Sequence, residues 1–153
     1  MKRPLIPLLA LIVLFVSAAT AQNVDYCQLL SLSEDSSSTL HYRKSAIPAF
    51  MKEALVSQDW FGERFKMANP HGDFNRTDVV RNPYLPNKRM VFLLRNGGSY
   101  IFVYEYGGRA RGIRCVCTDE STRQLQYCYL PKTVKNFADF VTVMRQKCRS
   151  ATE

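Results

Sequence analysis

From Val24 onward, the apolar positions keep a helical spacing before residue 66 and a strand-like spacing after residue 89. Val24 to Leu32 carries a short helix-like pattern that includes Cys27. It ends in Ser33-Glu34-Asp35-Ser36-Ser37-Ser38, a polar run that reads as a loop. From Ser45 the residues Ile47, Phe50, Met51, Ala54 and Leu55 recur at helical spacing, with Ser45 placed to cap and Pro48 tolerable in the first turn. Trp60, Phe61, Arg64 and Phe65 either continue this helix or start a short second one capped by Asp59. The spacing of the aromatics among them marks these as core residues.

Residues 66–89 lack sustained periodicity and are punctuated by Pro70, Gly72, Pro83 and Pro86. An irregular stretch this long is uncommon in a compact domain unless it is functional or mobile. It also holds His71, Asp73, Asn75, Asp78 and Arg81, the densest mixture of reactive side chains in the chain.

The second half reads as sheet. Met90 to Leu94 is a continuous apolar run, and Asn96-Gly97 is a hairpin signal. Tyr100, Phe102, Tyr104 and Tyr106 then alternate with Ile101, Val103 and Glu105, as a strand with two different faces requires. Further strands are expected over Arg111 to Thr118 and Arg123 to Leu130, and Pro131 stops the sheet. Thr133 is placed to cap a last helix, in which Val134, Phe137, Val141, Met144 and Cys148 form an apolar stripe. The predicted fold class is α+β: N-terminal helices, a four-stranded antiparallel meander sheet, and a C-terminal helix packed on the sheet. A single domain over residues 22–153 is expected, with its irregular loop at 66–89.

The first 21 residues change the picture of where this domain works. Met1-Lys2-Arg3, the apolar stretch Leu5 to Val16, and Ala19-Thr20-Ala21 match the three parts of an export signal cut before Gln22. A secreted or periplasmic protein with no stable membrane span after signal removal is therefore expected. Loss of Lys2 and Arg3 leaves 19 basic against 13 acidic residues, so the formal charge falls from +8 to +6. A basic balance favours acidic partners or serves simply as a solubilising surface.

All five cysteines lie after the cut, where oxidation to disulfides is the default. Cys115 and Cys117 point to the same face of a strand, so Cys128 is expected to bridge Cys115 (or Cys117) and Cys27 to pair with Cys148. One thiol is left over. The spacing Cys115-Val116-Cys117 and the distance of His41 and His71 from any cysteine in sequence speak against a metal site. No cofactor motif is present, and none is expected. Asn75-Arg76-Thr77 is a glycosylation sequon, usable in a eukaryotic host.

Candidate binding residues are Tyr100, Tyr104 and Tyr106, should their face be left uncovered, together with Arg109, Arg111, Arg114 and Arg123. These support an exported basic binding module for a protein, an envelope component or an anionic polymer. One alternative is a secreted nuclease or other small hydrolase acting on a polyanion, with Glu105 as base and arginines as phosphate clamps. For that chemistry the acid is missing, because His41 and His71 both read as loop residues away from the sheet. The other alternative is a secreted inhibitor or structural subunit. Nucleic acid ranks behind other anionic partners, since Phe102-Val103-Tyr104-Glu105 places an acid where an RNA-binding strand needs a ring.

Overall fold

Asp25 starts the first helix by accepting hydrogen bonds from the backbone N–H groups of Cys27 (2.9 Å) and Gln28 (3.0 Å), donors that a helix start leaves unpaired. The computed structural model describes residues 24–80 and 82–152, so the expected export segment 1–21 and Arg81 lie outside it. Helix α1 spans Tyr26–Glu34, strand β1 Thr39–His41 and helix α2 Ala49–Ser57. Strands β2 (Lys88–Asn96), β3 (Ser99–Tyr106), β4 (Gly112–Asp119) and β5 (Gln126–Leu130) follow, and α3 (Phe137–Thr152) closes the chain. The fold is α+β, with five strands in the order β1-β2-β3-β4-β5, all antiparallel.

The fifth strand corrects the expectation of four. β1 has only three residues, paired as Thr39 with Arg95, Leu40 with Leu94 and His41 with Leu93, and so short a segment carries no readable alternation. Helical expectations also move: α2 starts at Ala49 with Pro48 at its cap position and no side-chain cap, not at a Ser45 cap. Residues 58–65 are not helical but form turns, with Asp59 and Gly62 at φ 57° and 67°, a left-handed backbone that ends α2. The last helix is capped by Asn136, not Thr133: Asn136 Oδ1 accepts from Asp139 N–H, and Asp139 Oδ2 accepts from Lys135 N–H, both at 2.9 Å.

The β3 alternation sorts the core into two layers. Ile101 and Val103 face α1 and α3, packed with Phe92, Cys115, Phe140 and Met144. Tyr100, Phe102 and Tyr104 face α2 and the 60–67 segment, packed with Met51, Leu55, Phe61 and Met67. A β-bulge between Met90 and Phe92 lets Met90 join the second layer while Val91 and Phe92 both join the first, which accounts for the continuous apolar run. Helices thus cover both sides of the sheet. The tyrosine face is not left open, and Tyr100 and Tyr104 are core residues.

Cys27 and Cys148 are joined (S–S 2.03 Å), tying α1 to α3 across 121 residues. Cys115, Cys117 and Cys128 are free thiols, so the expected bridge from Cys128 to Cys115 or Cys117 is not formed. Cys128 stands directly opposite Cys115. A disulfide needs a near right-angle twist about its S–S bond, and here the thiols hydrogen-bond instead, Cys115 with both Cys117 and Cys128. Hydrogen bonds to Cys117 and Cys128, together with burial, push the Cys115 thiol up. The bond from Cys115 holds Cys128 below its ordinary value, aided by Lys147 and opposed by burial.

Candidate functional site

The 66–89 stretch is irregular but anchored at both ends. Ala68 bridges Arg89, its N–H donating to Lys88 O (2.9 Å) and its carbonyl accepting from Met90 N–H (3.0 Å). Asn75 N–H donates to Pro86 O (2.8 Å), Gly107 N–H to Asn87 O (2.8 Å) and Gly108 N–H to Arg76 O (3.3 Å). These bonds press the loop against the end of β3, and a Cβ at Gly107 would overlap the Asn75 carbonyl oxygen. The Asn75 side chain is consumed inside the loop, where its Nδ2 donates to Asn82 O (2.8 Å) and Leu85 O (3.1 Å). Asn75 is therefore buried within the loop.

The anchored loop, the β2, β3 and β4 ends and the 132–136 connection enclose a cleft of about 420 Å³. Its charged lining is one-sided: Arg76, Arg89, Arg111, Lys132 and Lys135 face a single carboxylate, Glu105. Glu105 is buried at the floor. Its Oε2 accepts from Arg89 Nη2 (2.7 Å), and its Oε1 accepts from Arg111 Nη2 (2.8 Å) and Nε (3.1 Å). Phe74 supports the cations from below, its ring 4.6 Å from the Arg89 guanidinium and 5.6 Å from that of Arg76. His71, exposed and at φ 63°, lines the rim. The loop thus brings His71 to the same cleft as Glu105, an approach the sequence could not show.

The other face of the same sheet end holds the second group of candidate residues. Arg114 on β4 donates from Nη1 to Tyr104 Oη and from Nη2 to Tyr129 Oη, both at 3.1 Å. Its guanidinium carbon lies 4.6 Å from the Trp60 ring, 5.2 Å from Tyr129, 5.3 Å from Tyr127 and 5.4 Å from Tyr106. Burial pushes the Tyr104 phenol up to about 12, against the lowering effect of Arg114. Lys88 sits over the Phe61 ring at 4.8 Å, and its ammonium is held below the ordinary lysine value by burial and by Arg114, with Asp59 opposing.

The remaining candidates are scattered. Arg109 meets Asp78 at 3.4 Å on the exposed surface. Arg123 stacks on Phe50 (5.6 Å), and Tyr100 is covered by Phe50 and Arg95. His41 closes β1, outside the cleft lining. Arg76, Arg89, Lys132 and Lys135 were missed because they come from three separate segments with no shared spacing. Nothing in the local pattern sets Trp60, Tyr127 and Tyr129 apart from core aromatics, since their place around Arg114 comes from separate segments of the chain.

No protein-family model, curated protein or solved structure matches this chain. Among the described residues no helix is long and apolar enough to cross a membrane, and no group of histidine, cysteine and acidic side chains is arranged to hold a metal ion. The Cys27–Cys148 bond is compatible with an extracellular protein.

Proposed function

We propose that this chain is an exported binding module for an anionic polymer, and that the cleft beside Glu105 is its contact surface. The observation that carries the reading is the imbalance of five cations against one carboxylate around about 420 Å³ of open space. Glu105 already accepts from two arginines, so it orients Arg89 and Arg111 and leaves the remaining positive field for a ligand. Lys132 and Lys135 are exposed at the mouth, where added charge speeds encounter with a polyanion.

The test is retention on immobilised heparin across a salt gradient. The wild type should be retained and should elute earlier after Lys132→Glu combined with Lys135→Glu, because each lost phosphate or sulfate contact reduces the salt dependence. Passage of the wild type without retention at low salt would remove the proposal.

A second reading, cleavage of the polyanion, is favoured by the position of His71 at the same cleft as Glu105. A general base needs a free lone pair near the proton it takes, and both Glu105 oxygens are engaged by guanidinium groups. That geometry supports anchoring over proton abstraction. Hydrolysis of RNA, DNA or a glycan that is abolished by Glu105→Gln and by His71→Ala would reverse the order of the two readings.

A further inference from the structure

On the face of the sheet opposite the cleft, Arg114 is surrounded by rings and lacks an acidic partner. Among the described residues the ion pairs are Arg89 and Arg111 with Glu105, Arg109 with Asp78, and Arg145 with Glu34. Arg114 takes part in none of them. A guanidinium carries five N–H donors, and here two are spent on phenol oxygens while the buried Nε meets no acceptor. With Nε buried, the remaining N–H groups on Nη1 and Nη2 are the part still able to bind. Lys88 adds a second cation that repels Arg114, and Asp59 balances it only in part.

We propose that this box binds the carboxylate of a hexuronate unit in an acidic polysaccharide. Arg114 receives the carboxylate as a planar donor pair, a match that a lysine could not reproduce. Tyr129, 55% exposed, and the half-buried rings of Trp60 and Tyr106 offer apolar ring edges and a phenol hydroxyl to the sugar ring.

A nucleobase fits this arrangement poorly. Base stacking uses an open flat ring as its platform. Here the neighbours stand edge to face, Trp60 and Tyr127 at 78° and Tyr127 and Tyr129 at 82°. The site rests on observations separate from those of the cleft, so loss of heparin retention in the lysine variants leaves it standing.

Trp60 is the only tryptophan in the chain and lies against the Arg114 guanidinium, so its emission reports directly on the box. The mature protein is titrated with a trimer of galacturonic acid, with the corresponding neutral galactose trimer as control. A saturable change in emission is expected with the acidic trimer alone. Arg114→Lys should weaken it about tenfold or more, the loss expected for a charged bidentate contact. Tyr129→Ala, at an exposed position, keeps the test valid if the Arg114 variant does not fold, and it should also weaken binding. No saturable change in the wild type, equal response to the neutral trimer, or unaltered affinity in Tyr129→Ala would overturn the proposal. Tighter binding of single-stranded DNA than of the acidic trimer at Trp60 would overturn the assigned ligand class.

Discussion

The two faces of the sheet use the same strands, yet they are built from different chemistry. Toward α1 and α3 the strands present Phe92, Ile101, Val103 and Cys115, and the helix answers with Phe140 and Met144, all buried. Toward α2 they present Tyr100, Phe102, Tyr104 and Val116, and at one end Lys88 and Arg114 enter among the rings. A layer of apolar side chains without polar groups asks only for volume. A tyrosine layer brings hydroxyl groups that must be partnered when buried, and Arg114 partners two of them. Stability should therefore concentrate in the apolar α3 layer, and the exposed rings around Arg114 should contribute less.

The strongest way to break this contrast is to truncate one residue on each face. Phe140 is fully buried and packs edge-on to Phe92 at 5.3 Å. Phe140→Ala should lower unfolding free energy by about 3–5 kcal/mol, the range for a buried aromatic replaced by alanine. Tyr129→Ala, at a surface position that gives up one hydrogen bond from Arg114, should cost about 1 kcal/mol. Urea unfolding of the two variants checks both figures. Similar losses at the two positions would show that the Arg114 face is as much a stability element as the α3 face.

The same contrast explains what could be read from the residues alone. The β3 strand was legible because its alternation of Tyr100, Phe102 and Tyr104 with Ile101 and Val103 is a local property of eight residues. The α3 stripe was legible in part: Phe137, Val141, Met144 and Cys148 lie on the helix, but Val134 precedes it, the fully buried Phe140 was not among them, and the cap fell on Asn136, whose side chain reaches Asp139. The short β1 strand was not, since pairing with β2 and not its own pattern makes it a strand. Which face stayed open was not legible either, because α2 and the 58–65 turns cover Tyr100 and Tyr104 from a distant part of the chain. The cleft depends on Gly107 and Asn75 meeting across the loop, a contact no spacing encodes. Of the seven residues singled out for binding, Arg111 enters the cleft, while Tyr104, Tyr106 and Arg114 meet in the ring cluster.

A smaller effect is expected from the bond that closes the α3 side. Cys27–Cys148 encloses a loop long enough to restrict the unfolded chain strongly, and removing such a bond costs about 2–5 kcal/mol. Cys27→Ser with Cys148→Ser should lower the urea midpoint without altering Trp60 emission, since the tryptophan lies on the opposite face. Alkylation in denaturant without reductant should modify the three thiols of Cys115, Cys117 and Cys128. Modification of a single cysteine would mean that a second bridge forms and that the strand pair accommodates the twist after all.

The finest test of the contrast is alkaline titration, because only the Arg114 face has a buried phenol with a large shift. Tyr104 ionises at about 12 in the folded protein and at 10.0 in its ordinary state, with burial as the main cause. Above pH 10 the unfolded chain loses this proton while the folded chain keeps it, so the unfolded state is the one favoured. Stability is thus intact below pH 10 and declines as pH rises toward 12, by at most about 2.7 kcal/mol from this group. Tyr106 is shifted in the same direction, again by burial first, and adds to the decline. Tyr104→Phe removes the ionisable oxygen while keeping the ring, so its urea midpoint should fall less steeply over that range than the wild type's. Superimposable slopes would mean that the Tyr104 phenol is not shielded from water by α2 and Phe61, and the Arg114 side of the sheet would lose its claim to a desolvated polar interior.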